Sequence, residues 1–169
     1  MRGSVTGFIG KTLKNDTGEI PPAIIEKLQD LWETRIEVAR QAGNDGSFQK
    51  ELTEFGWWFV SKRSNDEWSV DQLLEVLKMT KTIDPDLWVV ERLAELSPTM
   101  LRKTVQCLGL IVDGDEKGWG ILGWNGDARK ILAAALGSED ATARQVAREV
   151  VHKLGGRGYF EFRALLTNA

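Results

Sequence analysis

The sequence predicts an all-α fold, and three observations carry that expectation. Apolar residues recur at helical spacing through most of its 169 residues, residues that cap helices bracket those stretches, and no segment alternates with period two over the length of a strand. With 42% hydrophobic and 28% charged residues, the composition is that of a chain that buries a core. The length suits a single α-helical domain over 21–169, preceded by a partly ordered N-terminal extension over 1–20.

Taken in order, Pro21-Pro22 suits a first helical turn, because proline brings a fixed φ and no N–H. Ile25, Leu28, Trp32, Ile36 and Ala39 then line one face as far as Gly43. Ser47 is the expected cap of the next helix, with Phe48, Leu52, Phe55 and Phe59 as its stripe. Beyond the polar break 62–67, Ser69 or Asp71 opens a helix carrying Val70, Leu73, Leu74 and Leu77. Asp84-Pro85 pairs a cap with an N1 proline ahead of Leu87, Val90, Leu93 and Leu96. Ser97-Pro98 repeats the device ahead of Leu101, Val105, Leu108 and Ile111. Two helices so close in sequence must lie antiparallel or cross sharply. The stretch 113–127, with five glycines and two tryptophans, is the one expected loop. Helix returns at 128–136, Ser138 caps the helix that ends at Gly155-Gly156, and 159–166 forms a short last helix.

Three helices share a phrase: Ile24-Ile25-Glu26-Lys27-Leu28, Val89-Val90-Glu91-Arg92-Leu93 and Val150-Val151-His152-Lys153-Leu154. Their spacing suits a repeating unit of two helix pairs, although any amphipathic helix produces such a phrase. The architecture expected is therefore an array of about eight helices in antiparallel HEAT-like hairpins.

Composition excludes several function classes. Twenty-two Lys and Arg stand against 25 Asp and Glu, interspersed along the chain, which argues against a nucleic-acid partner, since phosphate binding requires a clustered basic excess. A single cysteine, Cys107, permits no internal disulfide and no zinc framework, which points to a reducing, cytoplasmic compartment. No apolar run approaches the roughly 20 residues of a membrane span. Gly118-Trp119-Gly120-Ile121-Leu122-Gly123 spells G-x-G-x-x-G, but a dinucleotide site also needs a second strand ending in an acid about 20 residues later, and Ile131 to Asp140 reads as helix and cap. Asp113-Gly114-Asp115-Glu116-Lys117-Gly118 opens like a calcium loop, yet Lys117 and Trp124 occupy ligand positions. Gly7-Phe8-Ile9-Gly10-Lys11-Thr12 ends like a phosphate loop, but Val5 stands at its first glycine. His152 reads as a helix-surface histidine, Cys107 as a core residue, and the acid pairs Asp84/Asp86 and Glu139/Asp140 as helix-start charges. No catalytic residue, metal ligand, cofactor or small-molecule substrate is evident.

Seven tryptophans are the compositional oddity. Most serve a helical core, while some can anchor a protein interface, where Trp is enriched. Trp57 points away from the Phe48-Leu52-Phe55-Phe59 stripe, on a second face with Val60 that must meet a neighbouring helix or a partner. Trp119 and Trp124 pin the glycine-rich loop. These four residues are the partner-binding candidates.

The phrases Glu54-Phe55-Gly56-Trp57-Trp58-Phe59, Val89-Val90-Glu91-Arg92-Leu93, Gly118-Trp119-Gly120-Ile121-Leu122-Gly123-Trp124 and Gly158-Tyr159-Phe160-Glu161-Phe162-Arg163 resemble the C-terminal helical region of large bacterial NACHT-type signalling ATPases implicated in defence. The resemblance covers roughly residues 20 to 166. It implies a sensor or scaffold segment whose ATPase lies upstream, and a chain that is a fragment or a stand-alone relative. The function expected is a non-catalytic interaction or scaffold module that meets a protein partner or its own copy; the rival is a nucleotide-binding or enzymatic domain using the loop 113–127. Calorimetry is expected to show no micromolar binding of a dinucleotide or of calcium. Heat of that strength, abolished by changing Gly120 or Asp113, would favour the rival.

Overall fold

The computed structural model describes residues 4–43 and 46–167, and every regular element among them is helical. In order these are α1 (Val5–Asn15), α2 (Pro22–Ala42), α3 (Gln49–Thr53), α4 (Phe55–Ser61), α5 (Asp66–Thr80), α6 (Asp86–Gly114), α7 (Ile121–Leu136), α8 (Ala141–Gly156), a 3-10 turn (Phe160–Arg163) and α9 (Ala164–Thr167). No helix is long and apolar enough to cross a membrane among the described residues. Contacts divide the chain into two units, Met1–Pro85 and Asp86–Ala169.

In the first unit, α1 lies within the stretch expected as an extension. Ser4 caps it, accepting from the Gly7 N–H at 2.9 Å. The helix sits close against α4 because it presents glycine there: a Cβ on Gly10 would meet Trp58 Cδ1 at 2.6 Å and Trp57 Cβ at 2.9 Å. Trp58 Nε1 donates to the Thr6 carbonyl at 2.8 Å, and Arg63 donates to the carbonyls of Leu13 at 3.3 Å and Gly18 at 2.9 Å. On α2, Trp32, Ile36 and Ala39 are buried as expected and Gly43 ends the helix at φ 73°.

The single helix expected across 48–59 is two short ones. The chain bends at Glu54, whose buried carboxylate turns back to accept from the backbone N–H and hydroxyl of Ser4. Gly56 follows, where the Asp84 carbonyl approaches so closely that a Cβ would stand 2.3 Å from it. The next cap is Asn65 rather than Ser69 or Asp71: its side chain accepts from the N–H groups of Glu67 at 2.9 Å and Trp68 at 3.2 Å. Asp84 does not cap either. It precedes a cis bond to Pro85, donates its N–H to the Thr53 carbonyl at 2.9 Å and accepts from Trp57, so α6 opens at Asp86.

Aromatic rings fill the middle of this unit. Trp32 stacks on Phe55 with centroids 4.5 Å apart, Trp58 lies 5.8 Å from Trp32, and Trp68 meets Phe55 edge-on at 6.1 Å. Side-chain bonds set the register. Ser4 reaches Glu54, Thr6 reaches Trp58 and Leu13 reaches Arg63, so α4 runs beside α1 in the same direction. Glu33 meets Trp68 and Arg40 meets Glu75, each pair 35 residues apart, so α5 follows α2 likewise.

The second unit repeats that arrangement. The Ser97-Pro98 start expected for a new helix lies inside α6, and the backbone leaves helical geometry at Met100 instead (φ −132°, ψ 42°). Pro98 has no N–H for the Ala94 carbonyl, and the Ser97 hydroxyl donates there at 2.9 Å. Asp86 pairs with Trp124 and Arg102 with Asp140, both 38 residues on, and Asp113 with Lys153, 40 residues on. The part of α6 before the kink therefore advances beside α7, and the part after it beside α8. Gly109 faces Val146 and Val150 of α8 at ordinary contact distance. Asp140, not Ser138, caps α8, accepting from Ala143 N–H at 3.0 Å. The last helix expected at 159–166 is a 3-10 turn running into α9.

Two outcomes follow. Trp32 is wholly buried with its indole N–H unpartnered among the described residues, so Trp32→Ala should cost about 3 to 5 kcal/mol by denaturant unfolding, and Trp32→Phe far less, since it removes that N–H with the ring. Arg102, then the Ala143 N–H, holds the Asp140 carboxyl below its ordinary pKa. The stabilisation is present above the ordinary aspartate range and is lost as pH falls through the depressed folded value. Asp140→Asn keeps a cap but not the charge, so its stability gap to the unmodified protein should close on acidification.

Candidate interaction surface

The loop between α6 and α7 is shorter than the sequence suggests. α6 runs on to Gly114 and α7 begins at Ile121, so the irregular backbone is confined to 115–120. Gly123 and Gly126 lie within α7 rather than in a turn, and a Cβ on Gly123 would meet Leu87 Cδ1 at an ordinary contact distance of 3.7 Å. Asp115 organises the loop. Its backbone carbonyl accepts from Gly118 N–H at 2.9 Å, and its carboxylate accepts from Trp119 N–H at 3.1 Å and Ile121 N–H at 3.3 Å. Gly118 takes φ 67°, where a side chain would strain the backbone, and its carbonyl accepts from the Tyr159 hydroxyl.

This geometry bears on the G-x-G-x-x-G phrase. In a dinucleotide site the loop and helix N–H groups point at pyrophosphate. Here Asp115 occupies two of those donors, and an added Cβ on Gly120 would lie 3.0 Å from an Asp86 oxygen and 3.2 Å from an Asp115 oxygen. Two carboxylates stand where an anion would approach. Asp113, the first position of the calcium-like phrase, is paired with Lys153 at 2.5 Å.

The four candidate residues divide. Trp124 is 2% exposed and donates its indole N–H to Asp86 at 3.1 Å, so it belongs to the core of its unit. Val60 is buried as well. Trp57 is half-buried, with its indole N–H on Asp84 at 3.1 Å and Lys11 over its ring at 5.2 Å; the neighbouring surface its face meets is α1. Trp119 alone projects, 76% exposed. One turn along is Leu122, 66% exposed, and Leu87, 42% exposed, reaches the same helix at Gly123. The sequence stripe placed Leu87 in the core, but Val89 and Val90 take the buried face and Leu87 flanks it. Leu122 was hidden because 121–127 reads as loop; only its one-turn spacing to Trp119 and Gly126 signalled a shared face.

The shifted titrations are Arg35 and Lys130 raised, by Glu51 and Asp127, and Glu37, Glu75 and Asp140 lowered, by Gln41 with Arg40, by Lys78 and by Arg102. Each moves toward its charged form, the behaviour of surface ion pairs rather than of a poised acid or base. Among the described residues no three His, Cys, Asp or Glu side chains converge as a metal would need. The class this defines is an all-α protein carrying an exposed tryptophan on a fixed loop. No family model, curated protein or solved structure matches the chain.

The two roles of the loop residues separate experimentally. Trp119→Ala should leave stability within about 0.5 kcal/mol of the unmodified protein, as exposed positions do. Asp115→Ala leaves two backbone donors without their acceptor and should cost about 1 to 2 kcal/mol by chemical denaturation.

Proposed function

We propose that this protein is a non-catalytic helical scaffold that grips another protein through the Trp119, Leu122 and Leu87 patch. The observation that carries the reading is a tryptophan 76% exposed on a loop whose Gly118, Trp119 and Ile121 N–H groups are held by Asp115 and whose Gly118 carbonyl is held by Tyr159. A large apolar ring kept in water costs solubility, and an anchor held rigid loses little entropy on binding. Tryptophan at the centre of a contact also contributes disproportionately to affinity. Offsets of 35 residues between α2 and α5 and of 38 along α6 with α7 and α8 mark helices that run in the same direction, as the equivalent helices of successive hairpins do in a HEAT-like array, and this supports that reading of an architecture that displays surfaces for protein contact. The resemblance to the C-terminal region of NACHT-type proteins fits the same role, and the buried thiol of Cys107 suits a reducing cytoplasm.

A photo-crosslinking residue placed at 119 in cells should give a protein adduct that is absent when the same group is placed at Lys130, and Leu122→Ala should diminish it. Adducts equally strong from both positions would remove the reading. A melting temperature raised by a nucleotide would replace it with the nucleotide-binding alternative, since a ligand selective for the folded state must stabilise it.

A further inference from the structure

We propose that α1 is a displaceable strap over the Trp57–Trp58 face of α4, released as one piece while the rest of the first unit stays folded. The helix is held by its glycine side. Its buried residues are Thr6, Gly7, Gly10 and Leu13, of which only Leu13 brings a large apolar side chain, whereas Val5 and Phe8 are 74% and 72% exposed. Phe8 lies about 160° around the helix from Thr6, whose carbonyl takes the Trp58 indole N–H. By contrast, α2 buries Trp32, Ile36 and Ala39. Docking of α1 therefore removes little of its own apolar surface from water. What it chiefly shields belongs to α4: the buried Trp58 and the half-buried Trp57, over whose ring Lys11 stands at 5.2 Å.

Two charged side chains supply the hold instead, one at each end. Glu54, just before α4, turns its buried carboxylate onto the backbone N–H of Ser4 at 3.3 Å and onto the Ser4 hydroxyl at the start of α1. Gly7 permits this approach, since a Cβ there would fall on the carboxylate. Arg63, just past α4, donates to the carbonyls of Leu13, Asp16 and Gly18 at the other end. An acid at the N-terminus and a guanidinium at the C-terminus match the dipole of the helix between them. That helix is weak by itself. Its 11 residues fall below the roughly 12 to 15 at which isolated helices are still only marginal in water, and Gly7 and Gly10 lower its propensity further. Once the two clamps open, α1 has little to keep it in place, and 16–21, which form no regular element before α2, let it move without that helix. The stack of Trp32 on Phe55 at 4.5 Å and the Asn65 cap of α5 involve no α1 residue and persist, so the opening is local rather than global. The open form turns the indoles of Trp57 and Trp58 to water, and the strap thereby controls whether this aromatic face is available.

Native-state hydrogen exchange of the full chain tests this. The α1 amides are expected to exchange about 100-fold or more faster than the α2 amides from Trp32 to Ala39, yet more slowly than in an unstructured peptide, because the closed strap predominates. Glu54→Gln, which removes the charge but not the shape of the clamp, should speed α1 a further 10-fold or about that and leave α2 unchanged. Thr6→Cys supplies a second measurement that survives if the Glu54 variant does not fold. Thr6 is 3% exposed and Cys107 is wholly buried in α6, so a thiol reagent should modify residue 6 without denaturant while Cys107 stays unmodified. Amides of α1 as slow as those of α2, amides as fast as those of a free peptide, a Glu54→Gln protein in which α1 is unchanged or both helices speed alike, or a residue 6 thiol that reacts only together with Cys107 would each overturn the proposal.

Discussion

An indole ring gains much from burial but carries an N–H that must find an acceptor, and in this tryptophan-rich chain that requirement ties distant helices together. Trp58 donates to Thr6, Trp68 to Glu33, Trp57 to Asp84 and Trp124 to Asp86, across 52, 35, 27 and 38 residues. Each bond fixes a ring, and the ring fixes the spacing of the helices it lies between. Trp32, stacked on Phe55, stays buried without such a partner among the described residues, so its neighbours hold it by ring contact alone.

These ties explain why the acids at 84 and 86 do not simply cap helices. Asp84 is held by Trp57 and by the Thr53 carbonyl, and Asp86 by Trp124. The same constraint accounts for the glycines. Gly10 and Gly56 stand where a Cβ would collide with an aromatic side chain or with backbone, so they let rings and chain approach rather than make turns. A tryptophan with its N–H satisfied and a glycine opposite it form one packing device, used between α1 and α4. Between α6 and α7 the device is modified: Gly120 makes room for the two carboxylates that hold Trp124 and the loop backbone.

Trp119 stands outside this economy of acceptors. Its backbone N–H is held by the Asp115 carboxylate at 3.1 Å, while its ring is left in water. Fixed backbone and free ring together distinguish a presented side chain from one on a wandering loop. On the first unit the exposed apolar residues Val5, Phe8, Ile24, Leu31 and Val38 are instead spread along α1 and α2.

The helical class and the main stripes were legible in the sequence because local spacing alone decides them. Trp32, Ile36 and Ala39 on α2, and Val105, Leu108 and Ile111 on α6, lie buried where period and hydrophobicity put them. The helix starts were less legible, since Asn65, Ser69 and Asp71 are chemically comparable caps and only the packed chain selects among them. The candidate surface was half legible: Trp119, Trp124, Trp57 and Val60 stood out by residue type, but residue type does not say which way an indole faces. Separating the projecting Trp119 from the buried Trp124, five residues away, took Asp86 and Asp115, whose carboxylates come from the far end of α6 and from the loop itself. Sequence determined which residues want to leave water, through local periodicity, whereas the tertiary structure decided which of them find a partner, because that depends on acceptors and glycines brought from dozens of residues away.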